Sequence, residues 1–196
     1  ASGCVAADKS DVRRIEVTGD LPDGTVAKDV ILKIIGELGV DGGVGYTYEY
    51  GGETIEAMAM EARMAVCNMS IEGGARIGYI NPDETTYEYL RGREFVPEGE
   101  AFAERTAYWE SVRSDADAVY DDEVQVDVDG LAPMVTWGTT PGQVTEVDQP
   151  VPAPEDLPEA EREAARTAQD HTEVSPGESM VGHPIDVAFI GTCTNG

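Results

Sequence analysis

Basic charge is scarce in this sequence. There are three lysines (Lys9, Lys28 and Lys33), and thirteen Lys and Arg stand against thirty-nine Asp and Glu, for a net charge of −26. Such a surface repels phosphate backbones and anionic bilayers, which excludes nucleic acid and membrane surfaces as partners. Long hydrophobic runs are missing too: no stretch reaches the roughly eighteen apolar residues of a membrane-spanning helix. Cysteine is limited to Cys4, Cys67 and Cys193, far apart and odd in number. That excludes a disulfide framework and fits a reducing, cytoplasmic compartment. Two histidines, His171 and His183, do not assemble a zinc site at their spacing. The acids are interleaved with apolar residues along the whole chain instead of forming one tail. The composition therefore describes a folded protein of a salt-rich cytoplasm, where ionic strength screens self-repulsion.

What is present alternates between strand and helix. Ile15-Glu16-Val17 alternates as a strand and is followed by the turn Gly19–Gly24. Thr25 is placed to cap a helix carrying Val30, Ile31, Ile34, Ile35 and Leu38 at helical spacing, with Gly39 as its stop. YTYEY reads as a strand, and ETIEAMAMEARMAVCNMSIEGGA as helix over most of its length. ARIGYI is a strand, DETTYEYLRG a short helix, AFAERTAYWESVRS another helix, and DEVQVDV a strand. This order predicts a layered α/β domain over residues 14–130, after a tail of residues 1–13. Residues 131–182 read as an extended, proline-rich connector with one solvated alanine-rich helix. Residues 183–196 read as the apolar strand Asp186–Ile190 and a turn that open a second α/β unit.

Few positions carry chemistry. The loop GGVGYTYEYGGE lacks the order of a dinucleotide fingerprint and has no P-loop lysine, so it reads as a turn before a strand. Asn68 and Glu72 stand four apart and would share one helix face. Spacing alone makes that a solvated polar face, or an amide and a carboxylate aimed together at a site. Cys67 beside the apolar stripe reads as a small core residue. Cys193 follows an apolar strand at the end where α/β sheets gather ligands, with Thr192, Thr194 and Asn195 around it. It reads equally as a buried thiol or as a reactive thiolate, a nucleophile or an iron–sulfur ligand.

The string FIGTCTNG resembles the first cluster-ligand motif of the aconitase superfamily. AKDVILKIIGELGVDGGVGYTYEYGGETI, MEARMAVCNMSIEGGARIGYINPDETTYEYLRGR and PMVTWGTTPGQV are similar to segments of its 3-isopropylmalate dehydratase large subunits. The resemblance implies a layered α/β/α domain of the aconitase type with a truncated start of the next α/β domain. It also implies a hydro-lyase that isomerises a hydroxy-diacid by dehydration and rehydration. A [4Fe–4S] cluster on three cysteines would supply the Lewis acid that such a poor leaving group needs. By that resemblance Cys193 is a cluster ligand, Asn195 lies beside the cluster, and Asn68 and Glu72 face the reacting centre. The partner it implies is a small subunit carrying the swivelling domain.

The family's Cys-x-x-Cys ligand pair, its Asp-His region and the serine base have no counterpart in these residues. The expectation is therefore an internal fragment, lacking both cluster and activity by itself. Homoaconitase, a citramalate-type isomerase and a non-catalytic assembly module remain alternatives, since no residue here reads the side group of the substrate.

Overall fold

The computed structural model describes residue 3 and residues 8–191. Four strands form one parallel sheet in the order β3-β2-β1-β4: β1 Asp11–Thr18, β2 Tyr46–Gly51, β3 Ile77–Ile80 and β4 Asp122–Asp127. Helix α1 (Ala27–Leu38) joins β1 to β2, and α2 (Glu53–Ala57) and α3 (Met60–Asn68) lead to β3. Helices α4 (Glu84–Leu90) and α5 (Gly99–Ser111) carry the chain across to β4 on the far side of β1. This mostly parallel sheet with flanking helices is the α/β class that the sequence predicts.

Register explains why the strands alternate instead of reading as continuous apolar runs. Ile15 lies beside Tyr50 and Val124, and Val17 beside Val126. These side chains form a single core with Val30, Ile31, Ile34 and Ile35 of α1 and with Ile55 and Val66. Each fully buried aliphatic side chain there contributes about 1.5–3 kcal/mol. The other face places Arg14 beside Glu49 and Glu123. Parallel sheets usually bury both faces; this one buries one face in apolar packing and the other in polar contacts.

Several local expectations change. Val26, not Thr25, holds the cap position of α1. The Thr25 hydroxyl instead donates to the Pro22 carbonyl, while the Asp29 carboxylate accepts the Val26 N–H at 2.7 Å. Gly39, at φ +81°, ends the helix as its sequence position predicts. The long helix expected after Gly52 is two helices, broken at the extended residue Met58. Buried Arg63 makes the break affordable: its guanidinium donates to the Met58 and Glu56 carbonyls and to the Asp83 carboxylate. Carbonyls orphaned by a helix end are thus satisfied by a side chain.

Beyond β4 a short antiparallel hairpin forms from β5 (Met134–Thr136) and β6 (Val144–Glu146). Helix α6 (Arg162–Thr172) is not wholly solvated. It packs Ala165 and Ala168 against Trp137, Val151 and Val174 in a second, smaller core. Small side chains let the helix approach closely, so its buried stripe lacks the large residues by which a stripe is usually recognised. The expected strand Asp186–Ile190 is not formed, and Phe189 is 91% exposed. No described strand lies beside it, and a strand without a neighbour has no ladder to join.

Candidate active site

The concave regions among the described residues differ in what their polar groups are free to do. One, about 770 Å³, opens on the polar face over Arg14, Glu16, Glu49 and Asn81. Glu49 is 0% exposed at its floor. One oxygen accepts from Arg14 (2.9 Å), Asn81 (2.7 Å) and Tyr120 (2.8 Å), and the other from Ser114 (2.7 Å) and the Tyr79 hydroxyl. Burial would raise its pKa, but the hydrogen bonds from Tyr79, Ser114 and Tyr120, with the Arg14 charge, outweigh it and hold the carboxyl below its ordinary value. The same contact, after burial, pushes the Tyr79 phenol up to about 12. Gly51 leaves room for this arrangement, because a Cβ on it would lie 1.8 Å from the Arg14 guanidinium and push it aside. A carboxylate with five donors has no capacity left for chemistry. This cleft ties β1, β2, β3 and the 113–120 loop together.

The crevice at the switch point between β1 and β4 is also committed. There the Asp20 and Asp129 N–H groups donate to Asp129 and Asp127, and the Gly19 N–H donates to Glu53. These carboxylates fold the loops.

The second groove, about 590 Å³, lies between the start of α1, the turn after α3 and the β5–β6 hairpin. It is lined by Lys28, Asp29, Met69, Glu72, Met134 and Thr139, among others. Asp29 is the clasp: one oxygen takes the Val26 N–H and the other the Met134 N–H, both at 2.7 Å, joining helix to hairpin. Gly36 permits the same approach, since a Cβ there would meet Val144 at 2.8 Å. Glu72 stands differently. One of its oxygens is shielded from solvent and has no hydrogen-bond partner among the described residues. A shielded carboxylate oxygen without a donor is costly, and such exceptions in native folds call for a ligand, an ion or a role.

The structure separates the expected pair. Helix α3 ends at Asn68, which is exposed, and Glu72 lies four residues on in a turn closed by Gly73 N–H to Ser70 and Ala75 N–H to Ser70. The two do not share a helix face, and Asn68 is not among the residues lining the groove. Cys67 packs partly buried against the main core, and burial pushes its thiol up to about 11, as a small core residue would be. Cys193 and Asn195 lie outside the described residues. Sequence reasoning missed Asp29, Arg63 and Glu49; the one signal available was a carboxylate in the third position of a helix whose cap has no side-chain oxygen.

Among the described residues no three His, Cys, Asp or Glu side chains converge as a metal site, and the Cys67 thiol is held protonated. The described residues therefore do not fit an iron–sulfur cluster by themselves. No described helix is long and apolar enough to cross a membrane.

Comparison with known proteins gives these features a context. The family described as Aconitase family (aconitate hydratase) matches residues 1–196. The chain is 60% identical over 196 residues to the 3-isopropylmalate dehydratase large subunit of Halorubrum lacusprofundi and 62% identical to that of Haloferax volcanii, covering all of this chain and 41% of each relative. It is 59% identical to the large subunit of a Synechococcus species, of which it covers 42%. The chain thus spans about two fifths of the length of these relatives. With the family matched from Ala1 to Gly196 on a parallel α/β sheet, this chain belongs to the aconitase family.

Proposed function

We propose that this chain is part of the large subunit of a hydro-lyase that interconverts 2-isopropylmalate and 3-isopropylmalate by dehydration and rehydration. The relatives' shared name supports that reading, and the observation that carries it here is Glu72, which lines an open groove and has one shielded oxygen without a donor among the described residues. Breaking a carbon–oxygen bond of a tertiary or secondary alcohol requires a proton on the departing oxygen. A carboxyl group set in a groove can give that proton to the departing oxygen in dehydration and, as the carboxylate, take one from the adding water in hydration, while a separate base takes and returns the carbon-bound proton. Asp29 cannot serve, because both of its oxygens already accept backbone N–H groups. Asn68, exposed one turn away, can supply an amide to the same centre once the rest of the protein covers it. A [4Fe–4S] cluster with Cys193 as one of three thiolate ligands, Asn195 beside it and a small subunit as partner complete the proposal. The net charge of −26 supports a salt-rich cytoplasm as its setting.

The test is to express the longer reading frame with its small subunit under anaerobic conditions and follow formation of the unsaturated intermediate by ultraviolet absorbance. Turnover should favour isopropylmalate over homocitrate and citramalate. Glu72→Gln should lower kcat by about a hundredfold or more while the thermal midpoint stays within about a degree of wild type. A preference for homocitrate or citramalate would move the protein to another branch of the family. Equal losses of activity and stability would make Glu72 structural.

A further inference from the structure

We propose that Lys28 binds a carboxylate of the hydroxy-diacid; this rests on the function proposed above. Three charged side chains line the Glu72 groove among the described residues: Lys28, Asp29 and Glu72. Asp29 is consumed by the Val26 and Met134 N–H groups, so Lys28 and Glu72 are left to face a ligand. Lys28 is exposed and makes no ion pair with any described residue, in a chain with thirty-nine acids. Lys33, one turn along the same helix but outside the groove, is paired with Glu37 at 2.8 Å, and it serves as the control for a lysine of this helix that does not line the groove.

Its position is also unfavourable for folding alone. Lys28 is the second residue of α1, where the helix dipole disfavours a cation and favours an acid such as Asp29. A sequence this poor in lysine places one against a local rule with no compensating ion pair among the described residues, a pattern found at functional sites. The charges lining the groove match one class of ligand: the Lys28 ammonium for a carboxylate and the Glu72 side chain for a hydroxyl. A hydroxy acid carries both groups. The Asp29 clasp fixes the helix start that bears Lys28 to the hairpin that forms one wall of the groove.

The experiment compares wild type, Lys28→Gln, Lys28→Arg and Lys33→Gln in the full-length large subunit assembled with its small subunit. Lys28→Gln should raise KM for isopropylmalate about tenfold, the order expected for one charge-assisted contact, with kcat within about threefold of wild type. Lys28→Arg should restore most of the affinity, and Lys33→Gln should leave KM unchanged. Competitive inhibition by malate, which shares the dicarboxylate end, should weaken in parallel with KM. An active wild type whose KM and malate inhibition are unmoved by Lys28→Gln overturns the role of Lys28 alone. A wild-type assembly inactive on every hydroxy-diacid overturns the function and this inference together.

Discussion

A carboxylate at the centre of a parallel sheet persists only where every lone pair is used, and Glu49 meets that condition through Arg14, Tyr79, Asn81, Ser114 and Tyr120. All five neighbours donate to it. Glu49→Gln would turn an amide N–H₂ toward at least one of these donors and leave Arg14 with Glu16 as its one described carboxylate partner. It should destabilise the chain by about 3 kcal/mol, the scale of breaking a buried charged pair. The pH dependence has a definite sign. The folded carboxyl sits below its ordinary value, so its stabilisation is complete above an unfolded pKa of about 4.3 and is lost as pH falls through the folded value. Thermal midpoints measured in potassium chloride from about pH 6 to about pH 3 should fall for wild type and fall less for Glu49→Gln. Identical acid slopes in the two proteins would show that Glu49 does not carry this linkage. Glu72 is the opposite case. Its shielded oxygen has no donor among the described residues, so an expensive group is kept there without a compensating hydrogen bond from them.

The elements themselves depend on a few backbone positions that tolerate no side chain. Gly52 ends β2 at φ +93°, and a Cβ there would sit 2.1 Å from the Val17 carbonyl oxygen. Gly24 has the same φ of +93° with nothing within 4 Å. Gly24→Ala should therefore cost only the left-handed strain, about 1 kcal/mol. Gly52→Ala should add overpacking against a main-chain atom and cost about 3 kcal/mol or more. Urea unfolding of both variants checks this, and equal losses would refute the packing argument. The elements that could be read in the sequence are those with long-range periodicity. Helix α1 shows its apolar stripe and its stop at Gly39, and β1 and β4 show an alternation that is real because the sheet has one polar face. The hairpin strands are three residues each, too short to carry a period. The break between α2 and α3 depends on Arg63, whose partner Asp83 is twenty residues away. Helix α6 hides its buried face because that face is alanine. For the candidate site, residue spacing left Asn68 and Glu72 open and the family resemblance singled them out, while their expected helix face is absent because the helix ends between them. The Asp29 clasp spans 105 residues and has no local signature.

At the scale of the whole molecule the unresolved force is charge. Three of the few cations are spent within the fold: Arg13 on Asp122, Arg14 on Glu16 and Glu49, and Arg63 on Asp83. A net charge of −26 therefore remains to repel itself across the surface. Salt acts on this chain in two opposed ways. It screens the repulsion, because the Debye length shrinks from about 30 Å at 0.01 M to about 8 Å at 0.15 M. It also weakens the ion pairs, but the exposed ones are worth only about 0–1 kcal/mol each, and the pairs of Arg63 and Glu49 are sheltered. Repulsion should dominate, so the thermal midpoint should rise with potassium chloride. Most of the screening gain should fall below about 0.15 M, where the Debye length changes most. A further gain at molar salt would come from stronger apolar burial, and it should depend on the anion, with potassium sulfate exceeding chloride at matched ionic strength. The two contributions separate in a melting series that varies ionic strength and anion independently. A midpoint flat from dilute buffer to molar salt would mean that the acids are stabilised by something other than screening, and the salt-rich setting inferred from composition would fall with it.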